Sequence, residues 1–279
     1  MVSPAKNILS LTLGSNTVCR VGFDVLVQNI HCILNMNKDN STYSKDYGQA
    51  FQNLTEAVAT GDKDGMRQYA KKSLDYARLL NHRHLEIAVL CTTAAGFSSA
   101  GQLQTTLKVY EEALIIADNT ALNPENKEAY ALLGVQITLY KGAALLAQKP
   151  PQYPAIIEAY QQAVDRLQLM MGDRRTAEIA DPMQDDIINL YYFESLRLLG
   201  YCQEQLGRQQ AALKHYVKAV SIAEQMGEEM LKSAPIYLVG NALVSLCRKL
   251  DMKKEYFIVI DKMNGLLGMG WEKQSVTTV

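Results

Sequence analysis

The side chains able to do chemistry are few, so their spacing can be weighed case by case. His82 and His84 stand in Asn81-His82-Arg83-His84, a pattern that could suggest a metal site. On a helix, residues two apart point to different sides, and no third ligand follows at a recognisable spacing. A polar turn between helices is the expected reading. His31-Cys32 could pair a base with a nucleophile, but adjacent helical residues point about 100° apart and the flanks are apolar, so packing is expected. Glu111-Glu112 and Asp185-Asp186 are adjacent acids and cannot flank one substrate atom for general acid–base work. Asp181-Pro182 and the acids after it instead predict a helix N-terminus. No GxxxxGK[ST], GxGxxG or GxSxG string occurs. The expectation is a non-enzyme that needs no cofactor and no metal.

Charge and cysteine usage narrow the class further. The 279-residue chain has a net charge of −1, which gives no broad footprint for nucleic acid. Its basic doublets, Lys71-Lys72, Lys253-Lys254 and Arg174-Arg175, are too short for a polybasic arm and read as solvated helix faces. The five cysteines (Cys19, Cys32, Cys91, Cys202, Cys247) are scattered, with none at CxxC spacing. Free thiols of this kind suit a reducing, cytoplasmic compartment. The Ile8–Leu13 stretch is too short and polar for a signal segment, and no window is expected to span a membrane. The ending Thr277-Thr278-Val279 fits tail capture by a PDZ-type domain, though short endings of this sort arise readily by chance.

Past residue 45 the apolar residues follow a helical period. Ile187, Ile188, Leu190, Tyr191, Leu196, Leu198, Leu199 and Cys202 recur at spacings of three and four. Gly207 interrupts, and Ala211, Ala212, Leu213, Tyr216, Val217, Val220 and Ile222 form a second run. Sustained alternation of strand type is missing. The fold class is all-α.

The helices come in pairs with a recurring layout. In Phe193–Met226 a large Leu196 is followed by Leu199-Gly200, a turn at Leu206-Gly207, and then Ala212, Tyr216 and Ala219-Val220. Small Gly200, Ala212 and Ala219 allow close approach of two antiparallel helices, Leu196, Leu199 and Tyr216 fill the space beside them, and Gly207 supplies a left-handed exit. This segment resembles the tetratricopeptide repeat. In the same register lie Leu90, Ala94, Phe97, Gly101, Tyr110 and Ala113-Leu114, and then Tyr130, Leu133-Gly134, Ile137, Tyr160 and Ala163-Val164. A weaker unit, Ser44–Leu80, has Leu54, Gly61, Ala70 and Ser73-Leu74. The equivalent positions Ser73, Ala113, Ala163 and Ala219 are 40, 50 and 56 residues apart, against about 34 in the family. Around Lys141–Tyr153, Pro150-Pro151 and Pro154 predict either a lengthened first helix or a proline-bounded loop. Ala234–Arg248 and Met252–Leu267 form one more pair. The organisation expected is a capping segment over 1–43, a repeat domain over 44–269 and a tail over 270–279.

The resemblance implies a helical-hairpin solenoid, a right-handed superhelix with capping helices, whose first helices line a concave groove for a peptide or helix. Family groove positions carried onto this chain are Ala88, Cys91, Ala95 and Ser98, then Glu128, Ala131, Val135 and Thr138, then Glu194, Arg197, Tyr201 and Glu204. Burial by the superhelix itself is the competing expectation, for Ala95 and Val135 above all. The Lys and Asn with which the family's heat-shock co-chaperones clamp a terminal carboxylate are missing. An interaction scaffold or adaptor is the function the resemblance implies. A dedicated chaperone for a secreted or membrane-bound client is the alternative, and a helical ligand sensor or enzyme with an internal pocket a third reading.

Overall fold

The computed structural model describes residues 41–176, 181–228, 231 and 235–268. These form ten α-helices, and no strand occurs among the described residues. The chain divides into two compact units between Ala155 and Ile156. In both, consecutive helices pack on their neighbours, the arrangement of an all-α helical-hairpin solenoid. Residues 1–40 of the expected capping segment, His31-Cys32 and Cys19 among them, and the Thr277–Val279 ending lie outside the described residues.

The first unit holds α1 (Ser41–Thr60), α2 (Lys63–Leu79), α3 (Arg83–Ser99), α4 (Leu103–Ala121) and α5 (Lys127–Leu146). Each packs on the next, and α3 also touches α1 and α5. Tyr47, Leu54, Met66, Leu85, Phe97 and Tyr110 belong to one core, each large apolar side chain contributing about 1.5–3 kcal/mol of burial. Every residue from Leu85 to Phe97 is buried, which explains why α3 is apolar all round rather than amphipathic. Between α4 and α5, Tyr110 and Tyr140 lie 6.3 Å apart and Lys141 pairs with Glu111 at 3.1 Å.

Helix α5 differs from the expectation that no window could cross a membrane. Among the described residues it is the one helix long and apolar enough by composition, but 67% of that window is buried within the folded chain. Its apolarity is accounted for by packing on α3 and α4.

The second unit holds most of α6 (Tyr153–Thr176), then α7 (Pro182–Gln205), α8 (Gln209–Ala223), α9 (Ile236–Lys249) and α10 (Lys253–Leu267). Leu196, Leu199, Ala212, Tyr216 and Ala219 are all buried between α7 and α8, as the repeat register requires. A Cβ on Gly200 would stand 2.6 Å from Tyr216 Cε1, so only glycine admits that ring. The long helices α5, α6 and α7, of 20, 24 and 24 residues, account for much of the wide spacing from Ala113 to Ala163 and from Ala163 to Ala219. Both expectations for the proline segment hold in part: the first helix is long, and a short loop over 147–152 precedes α6.

One turn geometry recurs. Gly61, Gly101 and Gly207 have φ of 71°, 72° and 72°, and Asn81 and Asp251 take 54° and 53°. After each, the next amide reaches back across the turn: Asp62 N to Ala57 O (2.9 Å), His82 N to Ala77 O (3.2 Å), Gln102 N to Phe97 O (2.8 Å), Arg208 N to Gln203 O (2.9 Å) and Met252 N to Cys247 O (2.8 Å). This is the Schellman closure, in which a left-handed residue satisfies the last carbonyls of a helix and reverses the chain.

Candidate protein-binding surface

Helix α7 carries the polar stripe that the repeat register places on a first helix. Glu194, Arg197, Tyr201 and Glu204 follow at spacings of three, four and three, so they share one face. Glu194 is only 1% exposed and grips Arg197 with both oxygens, Nε to Oε2 at 2.6 Å and Nη2 to Oε1. Burial opposes the guanidinium charge, but its hydrogen bond and ion pair with Glu194 outweigh it and raise the Arg197 pKa. At the other end Glu204 accepts from the Tyr216 hydroxyl (3.4 Å) and from Lys249 Nζ of α9 (3.3 Å). Burial, then the Glu204 charge, drives the Tyr216 phenol pKa upward. Between these two knots Tyr201 stands 37% exposed.

Helix α9 supplies a second stripe. Leu238, Ala242, Ser245 and Lys249 share a face, and the Lys249–Glu204 pair joins it to the α7 stripe at their C-terminal ends. Tyr237 is 54% and Leu238 42% exposed. Tyr201 on α7 and Tyr237 and Leu238 on α9 are thus exposed on two helices tied together by Lys249 and Glu204. Such a mixture of exposed aromatic area and bordering charge is suited to gripping another polypeptide.

The groove positions of the first unit lie differently. Ala88, Cys91, Ala95, Val135 and Thr138 are buried, while Ser98, Glu128 and Ala131 are half-buried. The Thr138 hydroxyl donates to Gly134 O at 2.7 Å, so it is satisfied within α5. Side chains so enclosed offer little area for contact.

No protein-family model matches the chain, and no curated protein matches it either.

The remaining candidates for chemistry are occupied by structure. His84 lies against Tyr130 of α5, ring centroids 4.3 Å apart at 55°. His82, the N-cap residue of α3, makes no side-chain cap. Burial and the neighbouring His82 lower the His84 pKa. Among the described residues no group of three or more His, Cys, Asp or Glu could hold a metal. Cys91 and Cys202 are buried thiols pushed up to about 12 by burial, which removes their nucleophilicity at neutral pH.

Several positioning contacts escaped sequence reasoning. Arg174, read as part of a solvated doublet, is buried and pairs with Asp185 at 2.9 Å. Gln168 donates to Tyr192 at 2.6 Å, and Asp186 accepts from the Gly227 amide at 2.9 Å. Asp181 caps α7 as expected, accepting from Gln184 N at 3.3 Å. The Arg174–Asp185 and Gln168–Tyr192 contacts set α6 on α7, and no local spacing announces them.

Proposed function

We propose that the chain is a divergent tetratricopeptide-type scaffold that binds a protein partner, with α7 and α9 of the second unit carrying the contact. The observation behind this reading is the exposed set Tyr201, Tyr237 and Leu238 on two first helices joined by Lys249 and Glu204. Rigid aromatic side chains supply large contact area at low entropic cost. An extended peptide or a short helix with an apolar centre and a basic or mixed flank suits this surface. A non-catalytic role is supported by the way Glu194, Arg197 and Glu204 are engaged by neighbouring side chains of the fold. The buried free thiols Cys91, Cys202 and Cys247 support a reducing, cytoplasmic setting.

Affinity capture from an extract of the source organism, followed by mass spectrometry, tests the proposal. Wild-type chain should retain a specific partner that a Tyr201→Ala/Tyr237→Ala variant loses, while helicity and Tm stay unchanged. Equal capture by both would refute the surface. A stoichiometric small molecule in native mass spectra would instead favour the ligand-sensor reading.

A further inference from the structure

Helix α10 is the last described helix, and it presents a patterned face to solvent. Its inward side, Val259, Ile260 and Met263, is buried against the hairpin. On the opposite side Lys254, Phe257, Ile258, Asp261 and Gly265 follow at helical spacings and form one stripe. All five are exposed, Phe257 at 67% and Ile258 at 57%. Phe257 is also held in place: it meets Tyr256 edge-on at 5.4 Å, and Arg248 stacks over Tyr256 at 5.4 Å while donating to its hydroxyl at 3.1 Å. A pre-positioned apolar ring loses little entropy on docking.

The order of residues along the stripe specifies what covers it. We infer that α10 pairs with α10 of a second copy, antiparallel about a two-fold axis passing between Phe257 and Ile258. In that register Phe257 of each copy faces Ile258 of the other, and Lys254 of each faces Asp261 of the other. The stripe is complementary to itself, the condition for a closed, isologous contact. Neither Lys254 nor Asp261 has a charged partner of its own chain among the described residues. Their neighbours Lys253 and Lys262 are engaged, with Asp251 at 4.0 Å and Glu224 at 2.6 Å. Gly265 has open space where a Cβ would lie, leaving room for the approaching helix. One helix pair buries less than a standard interface, so the dimer is weak and concentration-dependent.

Sedimentation equilibrium of the full chain tests this, because the two-fold axis makes an unusual demand. Wild type should rise from the monomer mass toward twice that mass with concentration. Phe257→Asp should abolish the rise with helical circular dichroism unchanged. Lys254→Glu and Asp261→Lys each set like charges opposite one another in their own dimers, weakening association about tenfold. In a mixture of these two variants, the glutamate introduced in one chain meets the lysine introduced in the other. The Asp261 and Lys254 that remain also face each other, so the mixture should form a heterodimer as tight as wild type. A constant monomer mass at every concentration, a dimer insensitive to Phe257→Asp, or a mixture no tighter than its components would each overturn the proposal.

Discussion

The ring of Tyr216 on α8 fills the place that a side chain at Gly200 on α7 would occupy, its Cε1 atom 2.6 Å from an ideal Cβ position. Both residues are buried in the α7–α8 interface, so the ring has no path out of the clash. Gly200→Ala gains about 1 kcal/mol of helix propensity but should lose more to overpacking, about 1–3 kcal/mol. Gly48 and Gly172 are helical with nothing within 4 Å of a Cβ, and alanine there should stabilise by about 0.5–1 kcal/mol. Urea midpoints of the three variants measure the contrast.

Glu194 and Arg197 supply a double-mutant cycle. With Glu194 only 1% and Arg197 15% exposed, Arg197→Leu leaves a buried carboxylate without its cation and should cost about 3–5 kcal/mol. Glu194→Met together with Arg197→Leu should cost far less, because no buried charge remains. Additive losses in thermal or urea unfolding would show that the pair is not coupled.

The turn glycines predict opposite signs at equivalent places. Gly207 sits at φ 72°, where a Cβ costs about 1–2 kcal/mol, so Gly207→Ala should lower stability by that order. Asp251 occupies the same kind of turn at φ 53°, and Asp251→Gly should raise stability by up to about 1 kcal/mol. Comparing the two by calorimetry tests whether the shared closure controls hairpin stability.

His84 predicts a pH dependence of definite sign. Its folded pKa lies below the ordinary value of 6.5, through burial and then the neighbouring His82. The unfolded chain therefore takes up the proton first as pH falls. The contribution is complete above about 6.5 and is lost as pH drops through the lower folded value. His215, lowered by burial and by Lys214 and Lys218, acts in the same direction. Replacing His84 with Phe keeps a ring against Tyr130 and should flatten the fall in Tm between about pH 7.5 and about pH 5.5. An unchanged slope would remove His84 as a contributor.

Much of the local architecture is written in the chain itself. Apolar period, turn glycines and the small residues at Gly200, Ala212 and Ala219 specify helices, reversals and close packing, because each depends on neighbours within one hairpin. The stripe on α7 was legible for the same reason, since spacing of three and four determines a helix face before any packing occurs. What each side chain then does was decided only by the tertiary fold. Arg174 looks like a surface charge until Asp185 meets it; Glu204 gains Lys249 from 45 residues away. Cys91 and Thr138 read as groove residues by register, yet they are enclosed in the folded chain. Burial and ion pairing are sums over distant segments, and no local period encodes them.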